Sequence, residues 1–100
     1  MKAITLKVDG SIEVWDLAEQ DSERYTQVRA AIGGGWVEAV RIADDTFLMV
    51  DEEGKMKSLP VNTQASLLHQ RDVIVGDAVM IGDDGSGEFV GVDERWLVNL

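Results

Sequence analysis

One hundred residues, 45% hydrophobic and 28% charged, make a single globular domain with one modest core. Cysteine is absent and His69 is the lone histidine, which removes disulfides, thiolate nucleophiles, cysteine-type zinc sites and two-histidine metal sites within one chain. A net charge of −10, from 19 acids against 9 bases, argues against nucleic acid as a direct partner and against anionic membrane surfaces, because both are bound through Lys and Arg.

No apolar run approaches the roughly 18 residues of a membrane span, and Met1 to Gly10 lacks signal-peptide architecture, so the predicted location is the cytoplasm. Lys2 to Val8 and Ser11 to Trp15 alternate as strands, with Asp9-Gly10 between them as a hairpin signal. In "DLAEQDSERYTQVRAAIGGG", Tyr25, Val28 and Ile32 fall at i, i+3 and i+7 on one helical face, while Glu23, Arg24, Gln27 and Arg29 point elsewhere. Asp21 or Ser22 is the expected cap, and Gly33 falls where a left-handed residue ends a helix. Gly33 to Gly35 therefore follow a helix C-terminus, whose carbonyls and negative dipole end disfavour phosphate. With no Gly-Lys-Ser/Thr after them and a strand next, they are expected to turn a corner rather than cradle a ligand.

Trp36 to Ile42 and Thr46 to Asp51 read as two further strands joined by Asp44-Asp45, and "DEEGK" turns again through Gly54. After Leu59-Pro60, Asn62 is placed to cap a short helix, Thr63 to His69, that buries Ala65 and Leu68. "VIVGDAVMIG", residues 73 to 82, reads as a buried strand with a bend or bulge at Gly76-Asp77, and "DDGSG" returns the chain into a strand from Glu88 to Val92. The tail "DERWLVNL" is expected either to continue the sheet or to dock across it. The expected fold class is α+β: one domain with a mostly antiparallel sheet of five or six short strands, one longer helix (Ser22 to Ile32) and one short helix packed against it.

The segments "IGGGWVEAV", "MVDEEGKMKSLPVNTQASLL" and "IVGDAVMIG", in that order and spacing between Ile32 and Gly82, resemble a family of small phage- and plasmid-encoded domains of unknown function. In that family a helix ends in paired glycines and an aliphatic-Glu pair opens the next strand. An Asp-Glu-Glu-Gly turn follows, and Leu-Pro-x-Asn leads into a helix before an Ile-x-Gly strand. This chain departs from the pattern in its third glycine, Gly35, and in its unusually acidic end. The resemblance implies a mobile-element context, in which small accessory proteins bind a host protein or trap a small signal molecule, and it assigns no chemistry to any residue.

Carboxylates are the most abundant candidate chemistry. A calcium loop fails in both registers of "DDGSGE": from Asp83 glycines occupy donor positions, and from Asp84 the glycine position falls on Phe89 and the last on Arg95. Glu38 and Asp51, on adjacent strands, would form an acid/base pair only in a register that opposes them; the ordinary alternative is that Glu38 points to solvent or pairs with Arg41 or Arg29. His69 at a helix C-terminus gains from the dipole when protonated. No catalytic constellation, metal site or cofactor is expected, and the chain reads as non-enzymatic.

Of the three tryptophans, Trp15 is assigned to the core, whereas Trp36 and Trp96 divide evenly between core and contact surface. Acids recur in the turns (Asp9, Asp44, Asp45, Asp51 to Glu53, Asp83, Asp84, Asp93, Glu94), either as a solubilising rim or as an imitation of the phosphates of DNA. Two functions remain. One is an accessory protein of a phage or mobile element that engages a host protein, which could itself bind nucleic acid, as an acidic decoy or inhibitor. Its contact residues would be an exposed strand edge or a patch of Trp36, Trp96, Asp51, Glu52 and Glu53. The alternative is a small-molecule trap for a signal nucleotide, able to form a homo-oligomer, with a pocket of Gly34, Trp36, Arg41 and Asn62.

Overall fold

The computed structural model describes residues 1–98. Its strands β1 (Lys2–Leu6), β2 (Ile12–Asp16), β3 (Val37–Ala43), β4 (Thr46–Asp51) and β5 (Ala78–Gly82) form one sheet in the order β2-β1-β5-β4-β3. Every neighbouring pair is antiparallel. Helices α1 (Asp21–Ala31), α2 (Thr63–His69) and α3 (Glu94–Val98) complete the α+β domain.

Period-two alternation splits the strand residues between two cores, because successive side chains leave opposite faces of a pleated sheet. Ile4, Leu6, Leu48, Val50, Ala78 and Met80 meet Ala65 and Leu68 of α2 and Trp96 and Leu97 of α3. Ala3, Met49, Val79 and Ile81 on the other face meet Val28 of α1 and the following Ile32. β5 is buried along its whole length, which explains its unbroken apolar run "AVMI". No helix among the described residues is long and apolar enough to cross a membrane.

The first hairpin uses a three-residue loop where a two-residue turn was expected: Lys7 N–H donates to Ser11 O and Gly10, at φ +90°, closes back on Lys7 O. From the β2 edge, α1 crosses the sheet to the β3 edge. Its inward face differs from the expected one, since Tyr25 stays exposed and Arg24 is buried. The Arg24 guanidinium donates to Ala18 O, Glu19 O and Phe89 O, so the loop before α1 and the segment after β5 close around it. The expected Asp21 or Ser22 cap is also corrected. Gln20 holds the N-cap position without a side-chain bond, and the Asp21 carboxylate accepts instead from Phe89 N–H at 2.9 Å.

The first part of "VIVGDAVMIG" and the segment after it extend the sheet less far than expected, although the strand does end at Gly82. Val75 makes a lone bridge to Val61, and β5 begins after the bend at Gly76. The Glu88 to Val92 strand is reduced to a bridge between Gly82 and Val90 plus a bond from Val92 N–H to Lys2 O. A Cβ on Gly82 would stand 2.1 Å from Gly91 O, so this crossing is too close for any side chain.

The tail docks rather than continuing the sheet, and its last two residues, Asn99 and Leu100, lie outside the described residues. The Arg95 guanidinium grips the Asp45 carboxylate with two bonds of 2.8 and 2.6 Å, and Trp96 Nε1–H donates to Thr46 Oγ1 at 2.9 Å. Arg95 holds the Asp45 carboxyl well below the usual carboxylate range.

Asn62 anchors α2. Fully buried, it accepts from Ala65 N–H as the expected N-cap while its amide donates to Leu6 O at 2.7 Å and Gly76 O at 2.9 Å. Replacing it by alanine removes a hydrogen bond from each of three backbone groups, so Asn62→Ala should destabilise the chain by about 2–4 kcal/mol in urea unfolding. A loss below about 0.5 kcal/mol would show that the hub carries no weight.

Candidate functional site

The three glycines build a corner that presents one side chain. Ile32 closes α1, and Gly33 and Gly34, at φ +101° and +89°, turn the chain in the left-handed region where a Cβ is penalised. Gly35 is needed for a different reason: a Cβ there would lie 2.7 Å from Asp51 Oδ2 and 2.8 Å from Lys57 Nζ. The corner-turning expectation therefore holds, and the third glycine makes room for an ion pair.

That pair fastens the corner to the turn after β4. Lys57 Nζ donates to Asp51 Oδ2 at 2.7 Å, Glu53 N–H donates to Asp51 Oδ1 at 2.8 Å, and Glu52 N–H donates to Trp36 O at 2.8 Å. Trp36 emerges from this framework with 58% of its surface exposed. The Arg29 guanidinium lies 4.8 Å from its ring centre and also donates to Gly34 O, so the indole is braced against α1.

Asp51, Glu52, Glu53 and Trp36 thus come together, though Asp51 is buried and acts by positioning the turn. Trp96 does not join them; it is part-buried beside Thr46, at the other end of β4. Trp15 is part-buried in the α1-side core, donating to Thr5 Oγ1. Of the pocket residues Gly34, Trp36, Arg41 and Asn62, the last two lie away from the corner. Asn62 is enclosed with its amide fully engaged, and Arg41 lies over Phe47, bonded to Asp44 O and Asp83 beside the β3–β4 turn.

Glu38 pairs across from Val50 and Asp51 from Val37, so the two carboxylates leave opposite faces of the sheet and form no acid/base pair. Glu38 faces solvent, the first of its two ordinary alternatives, while Arg29 and Arg41 are engaged as described. Among the described residues, Glu38, Glu52 and Glu53 have no ion-pair partner, whereas Asp16, Asp45, Asp51, Asp72 and Asp83 each have one. Glu38 and Glu52 line a cleft of about 320 Å³ between the β3–β4 end of the sheet and the loop after α2, with Lys55, His69 and Asp72 on its other side.

The chain matches the family described as "Domain of unknown function (DUF3846)" over residues 1–98, and it belongs to that family. The match reaches well beyond the Ile32 to Gly82 stretch that carried the resemblance. Searches of curated proteins and of solved structures returned no match.

Lys57 and Arg24 are the residues that hold these surfaces in place without having been singled out by sequence. The bases closing "DEEGKMK" were the available signal for Lys57, but its partner depends on how the turn folds. Lys57 beside it holds the Asp51 carboxyl below its usual value. A depressed carboxylate stabilises the fold above the unfolded value of 3.8 and loses that contribution as pH falls through the folded value. Chemical unfolding across acidic pH should show stability declining below about pH 5, with a shallower decline in Asp51→Asn. An unchanged slope in that variant would show that the pair does not hold the corner.

Proposed function

We propose that the chain is a non-enzymatic binding module that engages a protein partner through the Trp36 corner and the carboxylates beside it. The observation that carries this reading is the exposed indole of Trp36, fixed by backbone on one side and by Arg29 on the other. A large aromatic held rigid in solvent loses little conformational freedom on binding, which is the character of an interface anchor. Glu38, Glu52 and Glu53 sit near it without an ion-pair partner among the described residues, so the complementary surface is basic around an apolar notch. The motif resemblance adds a genetic setting: an accessory protein of a phage or mobile element acting on a host protein, as a decoy or inhibitor.

A small-molecule trap is the second reading, supported by the cleft that His69 helps to line. The carboxylates on its walls repel the phosphates of a signal nucleotide, and that favours the protein partner.

Affinity capture from cells in which the protein acts, followed by titration of the partner found, tests the reading. Trp36→Ala should weaken binding at least about tenfold while shifting the melting temperature by no more than about 2 °C. Glu52→Lys with Glu53→Lys should flatten the loss of affinity with rising salt. Retained affinity in Trp36→Ala would sink the proposal, and a bound species of a few hundred daltons in native mass spectra would move it to the cleft.

A further inference from the structure

The two edges of the sheet are not equally protected. β3 carries Glu38 and Arg41 on opposite faces and a register shift between Arg41 and Ala43, features that discourage strand addition. β2 has no such shift, and it exposes Ile12 (40%) and Val14 (45%) on the face that carries Ile4 and Leu6. Beside it runs an apolar groove of about 390 Å³ lined by Leu6, Ile12, Leu67, Leu68, Met80 and Trp96.

The direction of the free backbone groups follows from the hairpin. Lys7 N–H bonds Ser11 O and Leu17 N–H bonds Met1 O, so with the register Leu6↔Ile12 and Ile4↔Val14 the alternating ladder turns Glu13 and Trp15 toward β1. Ile12, Val14 and Asp16 therefore aim their backbone groups away from the sheet. Among the described residues, only the Asp16 carbonyl of these is taken, by Gln27 Nε2 at 3.3 Å.

Charge narrows the occupant. The chain carries −10 overall, yet both acids of β2 are matched by lysines, Asp16 by Lys2 of β1 at 2.7 Å and Glu13 by Lys7, just past the end of β1, at 3.1 Å. This strip is neutral within a strongly negative molecule, so another copy of the chain can approach here without setting unpaired acids against each other. A two-fold axis through Val14 gives a register in which Val14 meets Val14 of the partner subunit, Ile12 meets the partner's Asp16, and Glu13 meets the partner's Trp15. No like charges are opposed, and the backbone groups still free provide roughly four new hydrogen bonds.

We propose that the protein forms a homodimer by antiparallel pairing of β2 with β2 of a second copy, making one continuous sheet and covering Ile12 and Val14. The interface stands apart from the Trp36 corner, at the opposite edge of the sheet, and leaves that corner free for another partner.

Analytical ultracentrifugation of the full chain over a hundredfold range of concentration, at low and high salt, tests this. The expected result is a mass twice that of the single chain, with a dimer that tightens as salt screens the repulsion between two like-charged copies. Val14→Lys and Ile12→Lys, both at exposed positions and checked for folding by circular dichroism, should each weaken the dimer at least about tenfold, whereas Ala39→Lys on β3 should not. A single-chain mass at every concentration, an assembly of another size, a dimer indifferent to both β2 changes, or one broken by Ala39→Lys would overturn the proposal.

Discussion

The buried side chain of Asn62 is the constraint from which the rest of the architecture follows. With no exposed surface, it joins the end of β1, the bend before β5 and the start of α2 through its single amide. A two-turn helix such as α2 has little stability of its own and must be held by tertiary contacts. Once α2 is fixed there, Ala65 and Leu68 close one face of the sheet. Both concave features of that face, the cleft lined by His69 and the groove lined by Leu67 and Leu68, then take their shape from where α2 lies.

The Trp36 corner depends on a second, smaller constraint. Two glycines supply a backbone path closed to other residues, and a third supplies the space for Asp51 and Lys57 to meet behind the chain. That pair, together with the bond from Glu52 N–H to Trp36 O, ties the turn carrying Glu52 and Glu53 to the end of α1. An indole in solvent is a poor choice for a core and a good one for an interface, provided that its surroundings hold it still. Here Arg29 and the Asp51–Lys57 pair brace the corner, and Glu38, Glu52 and Glu53 have no cation partner among the described residues.

Much of this fold was legible in the sequence where local chemistry decides. Asp9-Gly10, Asp44-Asp45 and Asn62 mark turns and a cap through their own side chains and φ preferences, and the alternation of β1 and β2 and the unbroken apolar run of β5 mark strands. What depends on partners distant in the chain was not legible. Arg24 was counted among the outward residues because it is charged, yet its guanidinium satisfies carbonyls from Ala18, Glu19 and Phe89 inside the fold. The aliphatic residues before Asp93 read as a strand, but the chain crosses β5 at Gly82 too closely to run beside it. In the candidate site, the sequence singled out Trp36 and the acidic turn without showing that they touch. It could not separate Trp96 from them, because Trp96 is drawn to the far end of β4 by Thr46 and by α3 docking.

The central claim is that the Trp36 corner is where this protein meets another. The most direct measurement places a photoreactive aromatic amino acid at position 36 and, separately, at exposed Thr26 on the outer side of α1, and irradiates cells that contain the protein. The account predicts a discrete cross-linked protein from position 36, reduced when Glu52 and Glu53 are reversed in charge, and none from position 26. The same adducts from both positions, or none from position 36 while a partner is still captured intact, would contradict it.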